Sequence, residues 1–99
     1  MSSAVSELKA LRIDPRDNVA VALDDIAPGS QVLIQGLTLE VLDRVPFAHK
    51  MAIRPIAAGE PILKYGVPIA VATVSIRPGG WVHEHNARSY FAAKRKVEP

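Results

Sequence analysis

Three times in 99 residues the chain repeats one short pattern: isoleucine, two residues, glycine, two residues, then valine or isoleucine. The copies are Ile26-Ala27-Pro28-Gly29-Ser30-Gln31-Val32, Ile56-Ala57-Ala58-Gly59-Glu60-Pro61-Ile62 and Ile76-Arg77-Pro78-Gly79-Gly80-Trp81-Val82. A glycine held at one place between apolar anchors predicts a tight turn whose backbone a Cβ would penalise, with the flanking residues tied to the core. At least two of Gly29, Gly59 and Gly79 should therefore have positive φ, and Pro28 and Pro78 pre-set the same turn. Each copy follows an apolar or alternating run, so the pattern reads as strand, turn, strand. Eight prolines and six glycines spread among such runs break up any long helix. The fold class is all-β, built from short strands, and the uneven spacing of the copies excludes a regular solenoid.

The remaining segments agree with this. Val19, Val21 and Leu23 alternate with Ala20 and Ala22, which predicts a central strand covered on both faces. Gln35-Gly36 reads as a hairpin turn before the alternating Leu37, Leu39 and Val41, Lys64 to Pro68 as a loop, and Ile69 to Ile76 as a strand rich in β-branched residues. The expected core includes Val19, Val21, Leu23, Ile53, Ile69, Val71 and Val82. Residues 13–88 form the domain. Residues 1–12 are an extension in which Ser2 to Leu11 makes a turn or two of helix, and 89–99 are a basic tail suited to solvent or a partner.

Size and charge narrow the function. A chain of 99 residues makes one domain with one modest core, which leaves little interior for a deep pocket of its own. A net charge of +2 does not call for nucleic acid. Without cysteine there are no disulfides, thiolate metal sites or thiol nucleophiles. No segment has the apolar length of a membrane span, and Met1 to Leu11 lacks the apolar run of a signal peptide, so a cytoplasmic protein is expected.

One stretch is too polar to be core. After Trp81, the only tryptophan, the chain reads Val82-His83-Glu84-His85-Asn86 and so holds two of its three histidines. At the end of a strand His83 and His85 would share a face with Cα atoms about 7 Å apart. Two imidazoles so placed converge on one cation at roughly 2.1 Å each, or carry protons; the alternative is an exposed polar strand end with no ligand. Glu84 would face away. Asn86 either caps the turn or binds a substrate hydroxyl, and Trp81 anchors a core or an interface.

Several of these pieces occur together in one known family. Asp17-Asn18-Val19-Ala20-Val21-Ala22-Leu23, His49-Lys50 with Ala52-Ile53, Gly59-Glu60 before Ile62, Lys64-Tyr65-Gly66, and Trp81-Val82-His83-Glu84-His85-Asn86 resemble, in this order, the SAF-type N-terminal domain of the altronate and galactarate dehydratase family. The likeness runs from about Ile13 to Arg88. Two residues depart from the pattern: Ala48 stands where glycine usually precedes His-Lys, and Ala70 where glycine usually follows Pro-Ile. The same small domain also occurs as a separate subunit, as in sulfolactate sulfo-lyase, an arrangement that a chain of this length resembles.

The resemblance implies a β-clip fold, a larger catalytic subunit as partner, a lyase reaction on a hydroxylated sugar acid or related small acid, and a divalent metal, iron or manganese. Such a reaction removes a proton next to a carboxylate, which needs a base and nearby positive charge. The expected roles are His49 and His85 in catalysis, with His49 as base; Lys50, Lys64 and Asn86 in substrate binding, either lysine anchoring the carboxylate; and His83 with His85 on the metal. The isolated chain should be inactive. The competing reading is a non-catalytic carbohydrate-binding or assembly module, and an adjacent gene for a large dehydratase-like subunit would separate the two.

Overall fold

The computed structural model of the chain describes residues 9–90. Their strands are β1 (Ala10–Leu11), β2 (Val19–Ala22), β3 (Gln31–Ile34), β4 (Leu37–Glu40), β5 (Lys50–Ala52), β6 (Pro61–Lys64), β7 (Val67–Ala72), β8 (Trp81–Val82) and β9 (Ala87–Ser89). All pairings are antiparallel, in a four-stranded sheet ordered β1-β2-β5-β8, a hairpin β3-β4 and a three-stranded sheet ordered β6-β7-β9. The all-β reading holds, and among the described residues no helix is long and apolar enough to cross a membrane.

The four-stranded sheet separates two cores, because side chains alternate across a strand. On one face Ala10, Ala20, Ala22 and Met51 pack against Ile26, Val32, Ile34, Val41 and Val45 beneath the β3-β4 hairpin. On the other, Val19, Ala52 and Val82 pack against Ile62, Ala70, Ala72 and the bridged pair Ile56 and Ile76. The central strand is therefore covered on both sides, as expected, but its alanines carry the tighter packing. Val19, Ile53 and Val82 are buried, while Val21, Ile69 and Val71 are half-buried. Leu23, expected in the core, is 43% exposed, because β2 ends at Ala22 and Leu23 begins the bend that follows.

The turn pattern occurs four times rather than three. Gly29, Gly59 and Gly79 have φ of 86°, 90° and 88°, and Ala48 takes the same place with φ of 72°. In each turn the amide of this residue donates to a distant carbonyl: Gly29 to Val41, Ala48 to Ala22, Gly59 to Ala72 and Gly79 to Ala52. In each, the next amide closes the turn, as in His49 N–H to Pro46 O at 3.0 Å and Gly80 N–H to Arg77 O at 2.9 Å. The apolar residues that open the turns are bridged in pairs, Ile26 with Val45 and Ile56 with Ile76. Each half of the domain thus spans a pair of turns around one hairpin.

Both hairpins turn on a residue pair with positive φ, Gln35-Gly36 and Tyr65-Gly66, the backbone that matches strand twist. The stretch Lys64 to Pro68 is accordingly a tight hairpin and not an open loop. The strand expected over Ile69 to Ile76 runs from Val67 to Ala72. Buried Asp17 fixes this hairpin by accepting the amides of Tyr65 (3.1 Å), Gly66 (2.8 Å) and Asp14 (3.0 Å). Asn18 does the same for β6, giving its Nδ2 to Pro61 O and accepting from Leu63 N–H. Within the extension, Ala10 and Leu11 pair with Ala22 and Val21 as a sheet edge, where helix was expected; residues 1–8, and the tail from Phe91, lie outside the described residues.

Candidate functional site

The fourth turn explains how the histidines meet. By ending at Ala48 it sets His49 directly before β5 and Lys50 at its start, and β5 pairs with β8 as Lys50 with Val82 and Met51 with Trp81. One step further along this register, His49 stands opposite His83. Since alternate residues share a face, His49, Trp81 and His83 lie on one side of the sheet and Lys50 on the other.

Ring positions agree with this. The Trp81 indole stacks on His83 with centroids 4.9 Å apart and planes 7° from parallel. His49 lies 5.0 Å from His83 and 5.7 Å from Trp81, and His85 lies 5.2 Å from Trp81. All three histidines therefore gather around one indole. The ring of His49 is further fixed, because Trp81 Nε1–H donates to His49 Nδ1 at 3.2 Å. Among the described residues the rings of His83 and His85 make no hydrogen bond, so their nitrogens face a ligand or solvent.

His83 and His85 are not at the end of a strand, as expected, but in a turn. β8 stops at Val82, since Asn86 captures the chain: its Oδ1 accepts His83 N–H at 3.0 Å, its Nδ2 donates to Trp81 O at 2.8 Å, and its own N–H reaches His83 O at 3.1 Å. Of the two roles foreseen for Asn86, the structure displays that of turn cap. Asp43 completes the mounting of Trp81 by accepting its backbone N–H at 3.0 Å.

The turn also hands the chain from the four-stranded sheet to β9, and a depression of about 210 Å³ opens in the crook. Lys50, His83, Glu84, Arg88 and Ser89 line it over an apolar floor that includes Ile69 and Val82. Glu84, expected to face away, thus stands at the wall of the same depression as His83. Lys50 is half-buried, and its pKa is lowered chiefly by that burial and then by the charge of Lys64. Neither lysine has a carboxylate within ion-pair distance among the described residues; Lys64 instead lies over the Tyr65 ring at 5.1 Å. His49 and Lys50, adjacent in sequence, thus serve opposite faces, and His83 is the residue common to both. No group of three His, Asp or Glu side chains able to hold a metal forms among the described residues.

The arrangement can be set beside known proteins. Residues 8–90 match the altronate/galactarate dehydratase SAF domain. The chain is 40% identical to altronate dehydratase of Escherichia coli (strain K12) over 82 residues, which are 83% of this chain and 17% of that protein. It is 37% identical to altronate dehydratase of Bacillus subtilis (strain 168) over 79 residues, 80% of this chain and 16% of that protein. With the (2R)-sulfolactate sulfo-lyase subunit alpha of Chromohalobacter salexigens it shares 45% identity over 53 residues, 54% of this chain and 56% of that subunit. The chain therefore spans a small fraction of the altronate dehydratases and about half of the sulfo-lyase subunit. On the length of the match and these identities, it belongs to the altronate/galactarate dehydratase SAF domain family.

Proposed function

We propose that this chain is the small component of a two-part lyase acting on a hydroxylated sugar acid or related small acid, and that it contributes imidazoles to an active site completed by a larger subunit. The observation that carries this reading is the gathering of half-buried His49 and His83 and exposed His85 around Trp81, in a domain whose relatives include a lyase subunit named alpha. Of the three histidines only His83 lines the neighbouring depression, whose volume of about 210 Å³ is smaller than the roughly 300 Å³ or more of a self-contained ligand pocket. A second surface is needed to close it.

In this account the acid lays its carboxylate against Lys50 and Lys64, two cations without an acid partner among the described residues, and its reacting carbon beside His83. His83 and His85, with ring nitrogens unengaged, carry the proton that elimination moves. Were a divalent cation, iron or manganese, bound, His83 and His85 would offer it two imidazoles and it would polarise an oxygen of the acid, but two ligands are too few for a closed site. The remaining ligands would come from the substrate or the larger subunit.

Co-expression of the chain with a candidate large subunit tests the reading, with dehydration of altronate and galactarate and sulfite release from (2R)-sulfolactate as assays. The expected result is a stable complex that turns over one of these acids while neither component does so alone. A complex without turnover on any acid, or full activity of the large component alone, would leave the chain a binding or assembly module.

A further inference from the structure

The Trp81–His49 hydrogen bond determines what His49 can do. Indole Nε1–H is a donor only, so at 3.2 Å the Nδ1 of His49 must be an acceptor. A neutral imidazole has one donor and one acceptor nitrogen, which puts its proton on Nε2. Trp81 is not free to move away and release the ring. Its N–H is held by Asp43 at 3.0 Å, its carbonyl by Asn86 at 2.8 Å, and its indole by the stack on His83. The imidazole that the sequence suggests as a base therefore presents an N–H at its one remaining nitrogen.

We infer that Trp81 is a positioning residue that fixes neutral His49 as a hydrogen-bond donor through Nε2, so that His49 holds an oxygen of the bound acid, a carboxylate or the oxyanion developing from it, and does not abstract the proton. This rests on the proposed function for the identity of the ligand but not for the state of the ring. Lys50 and Lys64 are likewise donors without acceptor capacity. They lie across the sheet from His49, so the contribution of His49 is its own: a donor whose hold on the oxygen strengthens as negative charge develops in the transition state. Proton abstraction then belongs to a different group, His83, His85 or one from the larger subunit.

Long-range proton–nitrogen correlation spectra of the ¹⁵N-labelled chain read the tautomer of each histidine without any need for activity. At about pH 8, where imidazoles are largely neutral, His49 should appear as a single Nε2–H tautomer. Trp81→Phe, which keeps a stacked ring but lacks the donor, should turn it into a mixture. An Nδ1–H tautomer in the unaltered chain, which counts even if the variant does not fold, or the same tautomer composition in both proteins, overturns the inference.

In the reconstituted complex, His49→Gln retains an N–H donor near the same place and should lose about tenfold in kcat, whereas His49→Ala should lose on the order of a hundredfold or more. His49→Glu offers a base in place of a donor; activity in this variant above that of His49→Gln would also overturn the inference. A complex with no turnover at all contradicts the proposed function, while the tautomer measurement still decides the role of Trp81.

Discussion

Ala48 occupies in one turn the left-handed position that Gly79 occupies in its counterpart, with φ of 72° and 88°. The same backbone demand is therefore met once by a residue suited to it and once by a residue with a Cβ. The left-handed region costs a non-glycine residue about 1–2 kcal/mol, and this strain lies directly before His49.

Ala48→Gly should accordingly stabilise the chain by about 0.5–1 kcal/mol after allowance for the freer unfolded state. Urea unfolding measures it. A loss of stability would show that the surroundings of Ala48 favour its methyl group by more than the backbone disfavours it.

The three glycine turns should respond unequally to alanine. A Cβ at Gly29 or Gly59 meets no heavy atom within 4 Å, so only the backbone term of about 1 kcal/mol applies. At Gly79 it would also collide with the carbonyl of Glu40, and the loss should exceed that of the other two by at least 1 kcal/mol. Equal melting midpoints for Gly29→Ala and Gly79→Ala would contradict this.

Asn86→Ala removes the acceptor of His83 N–H and a donor to Trp81 O in a buried place. A loss of about 1–3 kcal/mol is expected, together with changed indole fluorescence as Trp81 loses its mounting. An unaltered fluorescence spectrum would show that the turn keeps its shape without the amide.

Lys50 gives a pH prediction. Burial, aided by Lys64, lowers its pKa below the ordinary 10.5, so the folded chain releases this proton before the unfolded chain does. Between the two values the unfolded state binds more protons and stability rises with pH; below the lowered value the charged amine opposes folding. Lys50→Met should stabilise the isolated chain at neutral pH and flatten the rise on the alkaline side. A midpoint that falls in this variant would contradict the account of Lys50 as a strained cation awaiting an anion.

Much of this architecture is written locally and so was legible. The glycines that need positive φ, the Gln35-Gly36 hairpin and the alternation in β2 follow from single-residue chemistry. The fourth turn was missed because Ala48 hides it: Val45-Pro46-Phe47-Ala48-His49-Lys50-Met51 lacks the glycine by which the others are found. With it went the register that places His49 opposite His83, since that pairing depends on where the turn ends. The end of β8 was misplaced for a related reason, because Asn86 reaches back to His83 across a turn that no periodicity announces. That His49 and Lys50 serve opposite faces follows from strand alternation once Lys50 is known to lie in β5.

The central claim is that the imidazoles around Trp81 form part of an active site shared with a larger subunit. Its most direct test is the turnover of the reconstituted complex carrying His83→Ala or His85→Ala, with association and β-sheet content measured on the same samples. The account predicts a loss of on the order of a hundredfold or more in each variant while the complex and the fold persist. Turnover at the unaltered level in both would contradict it.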